Sequence, residues 1–216
     1  MIVKNWMSKD IDIISSDLSA KETIDLFEEK GHPFMLVVDK GKLRGLIARR
    51  DLREAASWAI ASQDIYEIQY FNNRLKVKDI MVRKPTTLSI NDTVATALRK
   101  GKKFHRSFFP VMDGDKLMGT LSNRDFTYAL NQLMGGNEKL HGITIEIPGN
   151  TKNSVNRILE DLFTLGIQIQ GLFTLKTPDS EKRRLTIRFA TKSFDKITSL
   201  IGEKGYKVIE AIEYKQ

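Results

Sequence analysis

Short apolar runs separated by polar turns occupy the first 135 residues, and the same pattern occurs twice. The runs at residues 34–38 and 108–112 have the length of buried strands. Each is followed by a glycine-containing turn, Asp-Lys-Gly-Lys or Asp-Gly-Asp-Lys, and by a second apolar segment. Shorter extended segments at 12–15 and 86–89 come earlier, and helical spacing of apolar residues lies on both sides of each hairpin. The pattern predicts strand, helix, strand, strand, helix in each half.

The two halves form an internal repeat with a spacing of 74 residues and no gap. Polar residues and glycine coincide as well as apolar residues, which chance rarely produces. These coincidences are Gly45 with Gly119, Arg50 with Arg124, and Asp51 with Asp125. A duplication of this kind sets the architecture, so we predict a first repeat over residues 1–74 and a second over 75–135.

Helix starts are marked by residues that cap free backbone N–H groups. Ser19 stands three residues before Glu22 in the first repeat, and Asn91 with Asp92 precedes the apolar positions of the matching helix in the second. The last helix of each repeat is predicted to begin at the matched aspartate.

A different pattern begins after the linker Gly135-Gly136-Asn137. Residues 142–216 are predicted to form a separate domain with the order strand, helix, strand, strand, helix, strand, which is ferredoxin-like. The predicted elements are a strand at 143–147, a turn at 148–150, a helix ending at Gly166, a strand from 167, a turn at 177–180, a strand at 185–189, a helix at 193–203 and a strand at 206–212. The fold class is therefore α+β.

Composition and charge narrow the range of functions. The chain has 216 residues and no cysteine, which excludes disulfides, thiolate metal sites and a cysteine nucleophile. The start has no secretory pattern and no apolar run is long enough to span a membrane, so we expect a cytoplasmic protein. The net charge of +8 is spread over both parts of the chain, which favours anionic ligands but argues against a nucleic-acid partner.

The candidate chemistry lies at the junction after the second strand of each repeat. In the second repeat, Ser122 and Asp125 stand at a predicted helix start. They could serve only as helix caps. Alternatively, the free N–H groups of such a turn bind phosphate, the hydroxyl donates to phosphate or ribose, and the carboxylate accepts from a ribose diol. These residues alone do not decide between the two interpretations.

The repeated unit resembles a tandem pair of CBS domains, the Bateman module, over about residues 3–135. The resemblance implies a pseudo-twofold disc with two clefts that take adenosine-containing ligands such as AMP, ADP, ATP or S-adenosylmethionine. It implies further that Ser122 and Asp125 hold ribose and phosphate and that Phe108, Phe109 and Pro110 frame the adenine. By the same resemblance, Thr86 is expected to border this cleft.

In the first repeat the resemblance is weaker, because Ala48 replaces the hydroxyl and Leu36 replaces the proline, while Asp51 keeps the carboxylate. We expect one good site and one weak or vacant site. The basic run from Arg99 to Arg106 is interpreted as a solvated helix face, with Lys103, His105 or Arg106 as a candidate phosphate contact. Adjacent strand residues face opposite ways, so at least one of Phe108 and Phe109 is expected in the core.

The C-terminal segment resembles an ACT domain, since Gly166 ends its first helix and an apolar strand follows. A CBS pair followed by an ACT-like domain is similar to the bacterial acetoin-utilisation regulator family. The resemblance implies a homodimer, and either dimerisation or a second ligand as the role of the ACT-like domain.

The sequence thus favours a regulatory protein that senses adenine nucleotides and is not an enzyme. No catalytic motif is found, and no metal or required cofactor is expected. We do expect a protein partner, whose identity the sequence does not give. The alternative is a scaffold with vacant clefts that acts only through protein–protein assembly.

Overall fold

The computed structural model describes residues 1–61, 63–147, 154–164, 166–177 and 181–214. The chain divides into two compact units, Met1–Thr127 and Tyr128–Gln216. Among the described residues, no helix is long and apolar enough to cross a membrane.

The first unit contains the two repeats up to the start of the last helix of the second, and each repeat builds a small sheet flanked by helices. The elements of the first repeat are β1 (Ile13–Ile14), α1 (Ala20–Lys30), β2 (Phe34–Asp39), β3 (Lys42–Ala48) and α2 (Arg49–Ala61). Those of the second repeat are β5 (Leu88–Ser89), α5 (Val94–Phe104), β6 (Phe108–Asp113), β7 (Lys116–Ser122) and α6 (Asn123–Leu133). Between them lie α3 (Ile65–Asn73), α4 (Val77–Ile80) and β4 (Val82–Arg83).

The repeat predicted from the sequence extends to the register of the strands. In both hairpins the first residue of the first strand pairs with the last residue of the second, Phe34 with Ala48 and Phe108 with Ser122. Both hairpins also carry an irregularity at the matching position. In both repeats the short first strand runs parallel to the next one. The predicted order of elements is therefore confirmed in each copy.

The two repeats exchange their opening segments. Val3, in a short 3₁₀ turn, is fully buried in the hydrophobic core of the second repeat. Val77, in α4, is fully buried in the core of the first repeat. Alignment of the two copies establishes that these segments are equivalent but does not show which core each one enters.

The exchange explains why Gly45 and Gly119 recur. A Cβ atom at Gly45 would lie 2.9 Å from the carbonyl oxygen of Val82, and one at Gly119 would collide with the carbonyl oxygen of Ser8. Only glycine lets these neighbouring backbones approach so closely. Thr120 beside Gly119 exchanges two main-chain hydrogen bonds of 2.9 Å with Ser8.

The second unit contains a four-stranded sheet that is antiparallel throughout. Its elements are β8 (His141–Ile147), α7 (Ser154–Thr164), β9 (Gln168–Lys176), β10 (Arg183–Ala190), α8 (Phe194–Glu203) and β11 (Lys207–Ile212). The strand order is β11-β8-β10-β9, so β9 and β11 form the edges. The predicted order of elements is confirmed. The predicted turn at 148–150 and, apart from Thr177, the predicted turn at 177–180 lie outside the described residues.

Three predicted helix starts need correction. The helices α2 and α6 begin two residues before Asp51 and Asp125, because each carboxylate reaches back to the N–H of the residue that precedes its helix. In the second repeat the cap of α5 is Thr93, whose side chain accepts from the Thr96 N–H. The carboxylate of Asp92 is bound elsewhere, by Ser89 and Lys100.

Candidate functional site

Ser122 and Asp125 lie together where β7 passes into α6. The main-chain N–H and the hydroxyl of Ser122 both donate to Oδ2 of Asp125, each at 2.7 Å. Oδ1 of Asp125 has no hydrogen-bond partner among the described residues. The pair caps the helix and still leaves one carboxylate oxygen as a free acceptor.

The matching position in the first repeat leaves no such acceptor. Oδ2 of Asp51 accepts from the N–H of Ala48 at 3.2 Å, and Oδ1 is 3.4 Å from Nε of Arg50. Ala48 provides no hydroxyl. Both oxygens of Asp51 are therefore bound within the protein.

Phe108 is the aromatic residue that the fold leaves partly accessible beside Ser122. Its ring stacks on the ring of Phe34, the equivalent residue of the first repeat, with centroids 4.9 Å apart and planes inclined by 24°. The side chain of Phe109 is fully buried in the core, and Pro110 is buried as well. Of the predicted adenine-framing segment, Phe109 therefore has only main-chain groups to offer a ligand.

Thr86 and Arg106 lie at the ends of the segments that lead into β5 and β6. Thr86 is partly buried. The helix α5 ends at Phe104, the capping residue His105 adopts the left-handed conformation with φ of 51°, and the N–H of Arg106 donates to the carbonyl of Gly101 at 3.0 Å. The N–H of Asn123 donates to the carbonyl of Ser107 at 3.0 Å, which ties the start of α6 to the residue after Arg106. We call Thr86, Arg106, Phe108, Ser122 and Asp125 the second-repeat site.

The equivalent positions of the first repeat carry polar contacts that sequence reasoning missed. Asp12 occupies the position of Thr86 and His32 that of Arg106, and Nδ1 of His32 is hydrogen-bonded to Oδ2 of Asp12. Arg49 donates to the carbonyls of Phe27 and His32, with its guanidinium 5.7 Å from the centre of the Phe27 ring. The 74-residue alignment could have drawn attention to Asp12 and His32, but not to their contact.

The basic run before β6 is partly used for structure. Nζ of Lys100 lies 3.0 Å from Oδ2 of Asp92 and 3.2 Å from the carbonyl of Thr87. Burial alone would raise the pKa of Asp92, but hydrogen bonds from Lys100 and the Ser89 N–H hold it below its ordinary value. Lys103 lies 5.2 Å from the centre of the Phe104 ring. Arg106 is exposed, and its side chain makes no hydrogen bond or ion pair within the described part of the chain.

No group of three or more histidine, cysteine, aspartate or glutamate side chains that could hold a metal ion occurs among the described residues.

Comparison with known proteins identifies the first unit. The model of the CBS domain matches twice, over residues 3–57 and 77–132, which together make up just over half of the chain.

Two curated proteins are related over this same part. An uncharacterized protein of Methanocaldococcus jannaschii, MJ0188, is 31% identical over 124 residues, which are 57% of this chain and 42% of that protein. The arabinose 5-phosphate isomerase KdsD of Francisella tularensis is 25% identical over 126 residues, 57% of this chain and 36% of the isomerase. The chain thus spans less than half the length of either relative.

Solved structures share the fold of this part. The CBS domain pair of MJ0100, in complex with 5′-methylthioadenosine and S-adenosyl-L-methionine, aligns with a TM-score of 0.50 at 23% identity, over 60% of this chain and 99% of that one. CBSX2 in complex with AMP aligns with a TM-score of 0.52 at 20% identity, over 62% of this chain and 98% of that one. A putative acetoin utilization protein, AcuB, from Vibrio cholerae aligns with a TM-score of 0.52 at 19% identity, over 63% of this chain and 96% of that one.

The internal repeat, the matched hairpins and the two family matches agree on one assignment. The chain belongs to the CBS-domain family and carries a tandem pair of these domains.

Proposed function

We propose that this protein is a regulatory ligand sensor that binds an adenine nucleotide at the second-repeat site. The observation that carries the proposal is that Oδ1 of Asp125, at the start of α6 beside Ser122 and Phe108, accepts no hydrogen bond from any described residue. The complexes of MJ0100 and CBSX2 with adenosine compounds support it, since those proteins share the fold. Catalysis is not part of the proposed role.

Each group of the site has a chemical task in this proposal. Oδ1 of Asp125 accepts hydrogen bonds from the ribose hydroxyls, while Oδ2 keeps its contacts to Ser122. The N-terminus of α6, with its positive dipole end, favours the phosphate. The partly buried ring of Phe108 and the main chain of Phe109 and Pro110 flank the adenine, and Thr86 borders it.

The C-terminal unit is proposed to be an ACT-like, ferredoxin-like domain that holds two chains together. Support comes from its element order and from the antiparallel sheet with two edge strands, β9 and β11. A second ligand in this domain is the other role under consideration. We further propose that the protein acts in the cytoplasm on a protein partner and is similar to acetoin-utilisation regulators.

A second candidate function, a scaffold with vacant clefts, is favoured by one observation. Asp51 and Asp125 both serve as helix caps through hydrogen bonds within the protein. Their presence in both repeats is therefore explained by stability alone.

Thermal unfolding distinguishes the two functions. At about 100 times the dissociation constant, a ligand that binds only the folded state adds about 2.7 kcal/mol of stability. For a chain of this length, that corresponds to a rise in melting temperature of about 5–10 °C. Inorganic phosphate at equal concentration controls for a general effect of anions on a protein with net charge +8. Unchanged melting curves in millimolar AMP, ADP and ATP would contradict nucleotide sensing and would favour the second candidate function, a scaffold with vacant clefts.

A further inference from the structure

The first helices of the two repeats, α1 and α5, carry opposite charges at matching positions. Three acidic residues of α1 correspond, in the alignment of the two repeats, to three basic residues of α5. The acidic stripe consists of Asp25, Glu28 and Glu29, and the basic stripe consists of Arg99, Lys102 and Lys103. In each stripe the second and third residues follow the first by three and four positions, so the three side chains share one side of their helix.

Neither stripe is neutralised within the protein. All six side chains are exposed, and none of them forms an ion pair with any residue that the structure describes. Arg99 donates to the hydroxyl of Thr96 at 3.0 Å, and Lys103 lies over the ring of Phe104. These two contacts leave both cations without a counter-ion.

Helix stability does not explain the acidic stripe. Like charges three or four residues apart repel one another and destabilise a helix. Glu28 and Glu29 also lie in the last turn of α1, where the negative end of the helix dipole disfavours carboxylates. Lys30 in the same turn matches the dipole, but the two glutamates oppose it. The acidic stripe therefore indicates a positively charged partner outside its own helix.

A second copy of this chain is the partner whose charges fit both stripes. Because the stripes occupy equivalent positions of a duplicated fold, an arrangement that sets the first repeat of one chain against the second repeat of another brings opposite charges together, and a twofold axis does so twice. Setting like repeats against each other would bring like charges together, which is unfavourable. A nucleic acid or another anionic partner would use the basic stripe alone and leave the acidic stripe unexplained.

We propose that two chains associate head to tail through their first units, with the acidic stripe of each chain facing the basic stripe of the other. Leu98, which is exposed and stands four residues before Lys102, adds apolar area on the same side of α5. The charges determine the orientation of the two chains. This contact is additional to the dimerisation proposed for the C-terminal unit, and it does not depend on nucleotide binding.

Charge-reversal variants of the full chain test the inference through the dissociation constant of self-association, measured by sedimentation equilibrium. The acid-reversed variant carries Asp25→Lys, Glu28→Lys and Glu29→Lys, and the base-reversed variant carries Arg99→Glu, Lys102→Glu and Lys103→Glu. Each should weaken self-association at least about tenfold, because an exposed ion pair contributes about 1.5- to 5-fold and six pairs are lost. The base-reversed variant has a lower net positive charge, so a general charge effect would strengthen its association instead.

Restoring the complementarity should restore the association. A variant with both stripes reversed, and an equimolar mixture of the acid-reversed and base-reversed variants, should associate within about threefold of the unmodified protein. Lys42→Glu and Lys116→Glu reverse exposed charges at equivalent positions outside both stripes and should also stay within about threefold.

Salt provides a second measurement. Raising the ionic strength from about 0.1 M to about 1 M shortens the screening length from about 10 Å to about 3 Å. The association of the unmodified protein should therefore weaken, while that of either singly reversed variant should strengthen. Circular dichroism verifies the folding of each variant first. If the base-reversed variant does not fold, replacement of the basic stripe by glutamine removes the charges with less strain on the helix end and should still weaken association about threefold.

The outcomes separate this contact from the other proposals. If both singly reversed variants associate as tightly as the unmodified protein, the head-to-tail contact is wrong while dimerisation through the C-terminal unit stands. If only the base-reversed variant is weakened, or if reversal of both stripes does not restore association, the acidic stripe is not the partner of the basic stripe and the inference is likewise wrong. If the unmodified protein is a monomer throughout, both contacts are wrong, and nucleotide sensing is unaffected.

Discussion

At the scale of single residues, the two repeats allow the capping of two equivalent helices, α1 and α5, to be compared within one protein. Ser19 and Thr93 occupy equivalent positions, and each accepts a hydrogen bond from the N–H three residues on. Only Ser19 belongs to a full capping box, in which Glu22 accepts in return from the N–H and hydroxyl of Ser19. In the second repeat the residue matching Glu22 is Thr96, which cannot ionise.

The pKa of Glu22 makes this difference measurable. The hydroxyl and then the N–H of Ser19 hold the pKa of Glu22 below its ordinary value of 4.5. A carboxylate whose pKa is lowered by folding stabilises the folded state above the unfolded pKa and loses that contribution as the pH falls through the folded pKa. The contribution of the Ser19–Glu22 contact is therefore present at pH 7 and disappears in acid.

We expect Ser19→Ala and Thr93→Ala each to lower the free energy of unfolding by about 1 kcal/mol at pH 7. Between about pH 5 and pH 3, the effect of Ser19→Ala should shrink while that of Thr93→Ala stays constant. Urea unfolding at several pH values measures both. A pH-independent effect of Ser19→Ala would mean that the Glu22 carboxylate does not contribute to this cap.

At the scale of elements, the hairpins were the most predictable part of the chain. Predicted strands at 34–38 and 108–112 differ by one residue from β2 and β6, because buried strands show a clear apolar pattern. Helix starts were less predictable. A carboxylate at Asp51 or Asp125 can stand at the start of a helix or bind back from within its first turn, and only the backbone geometry distinguishes the two.

The exchange of opening segments could not be read from the sequence. Val3 and Val77 have the same apolar character wherever they pack, so periodicity does not assign them to a core. The helix α3 was not predicted either, since its apolar residues Ile65 and Tyr66 are largely exposed and give no consistent buried face.

The candidate site was predictable only where its contacts join residues that are close in the sequence. Ser122 and Asp125 are three residues apart, so their contact follows from local geometry. The contact between Asp12 and His32 joins residues 20 positions apart and depends on the tertiary fold. Strand alternation predicted that at least one of Phe108 and Phe109 would face the core but not which one. The structure buries Phe109, together with the next two residues, Pro110 and Val111.

At the scale of the whole molecule, the account predicts an assembly of at least two chains. The sheet of the second unit has unpaired edges at β9 and β11. In the first unit, Trp58 and Tyr66 are 74% and 77% exposed, and both residue types are enriched at protein interfaces.

Light scattering at micromolar concentration should therefore give a mass of at least twice the 24.7 kDa of one chain. A mass of 24.7 kDa that does not rise with concentration would contradict homodimerisation. That result would leave nucleotide binding by the second repeat unaffected, because every residue of the second-repeat site comes from one chain.

Calorimetric titration of matched aspartate variants tests whether an adenine nucleotide binds the second repeat through Asp125. Asp125→Ala should weaken the binding of AMP about tenfold to hundredfold, because it removes a charged acceptor from a ribose contact. Asp51→Ala, which removes the equivalent cap in the first repeat, should change binding by less than about threefold, since both oxygens of Asp51 are already bound.

Because each aspartate also caps a helix, both alanine variants should lose about 1 kcal/mol of stability, and their folding must be verified first. Asp125→Asn keeps an acceptor for the Ser122 N–H and separates the loss of the charge from the loss of the cap. With all variants folded, the account predicts that Asp125→Ala and Asp125→Asn both weaken AMP more than Asp51→Ala does. If Asp51→Ala is instead the more damaging change, the ligand binds the first repeat and the assignment of the site is reversed.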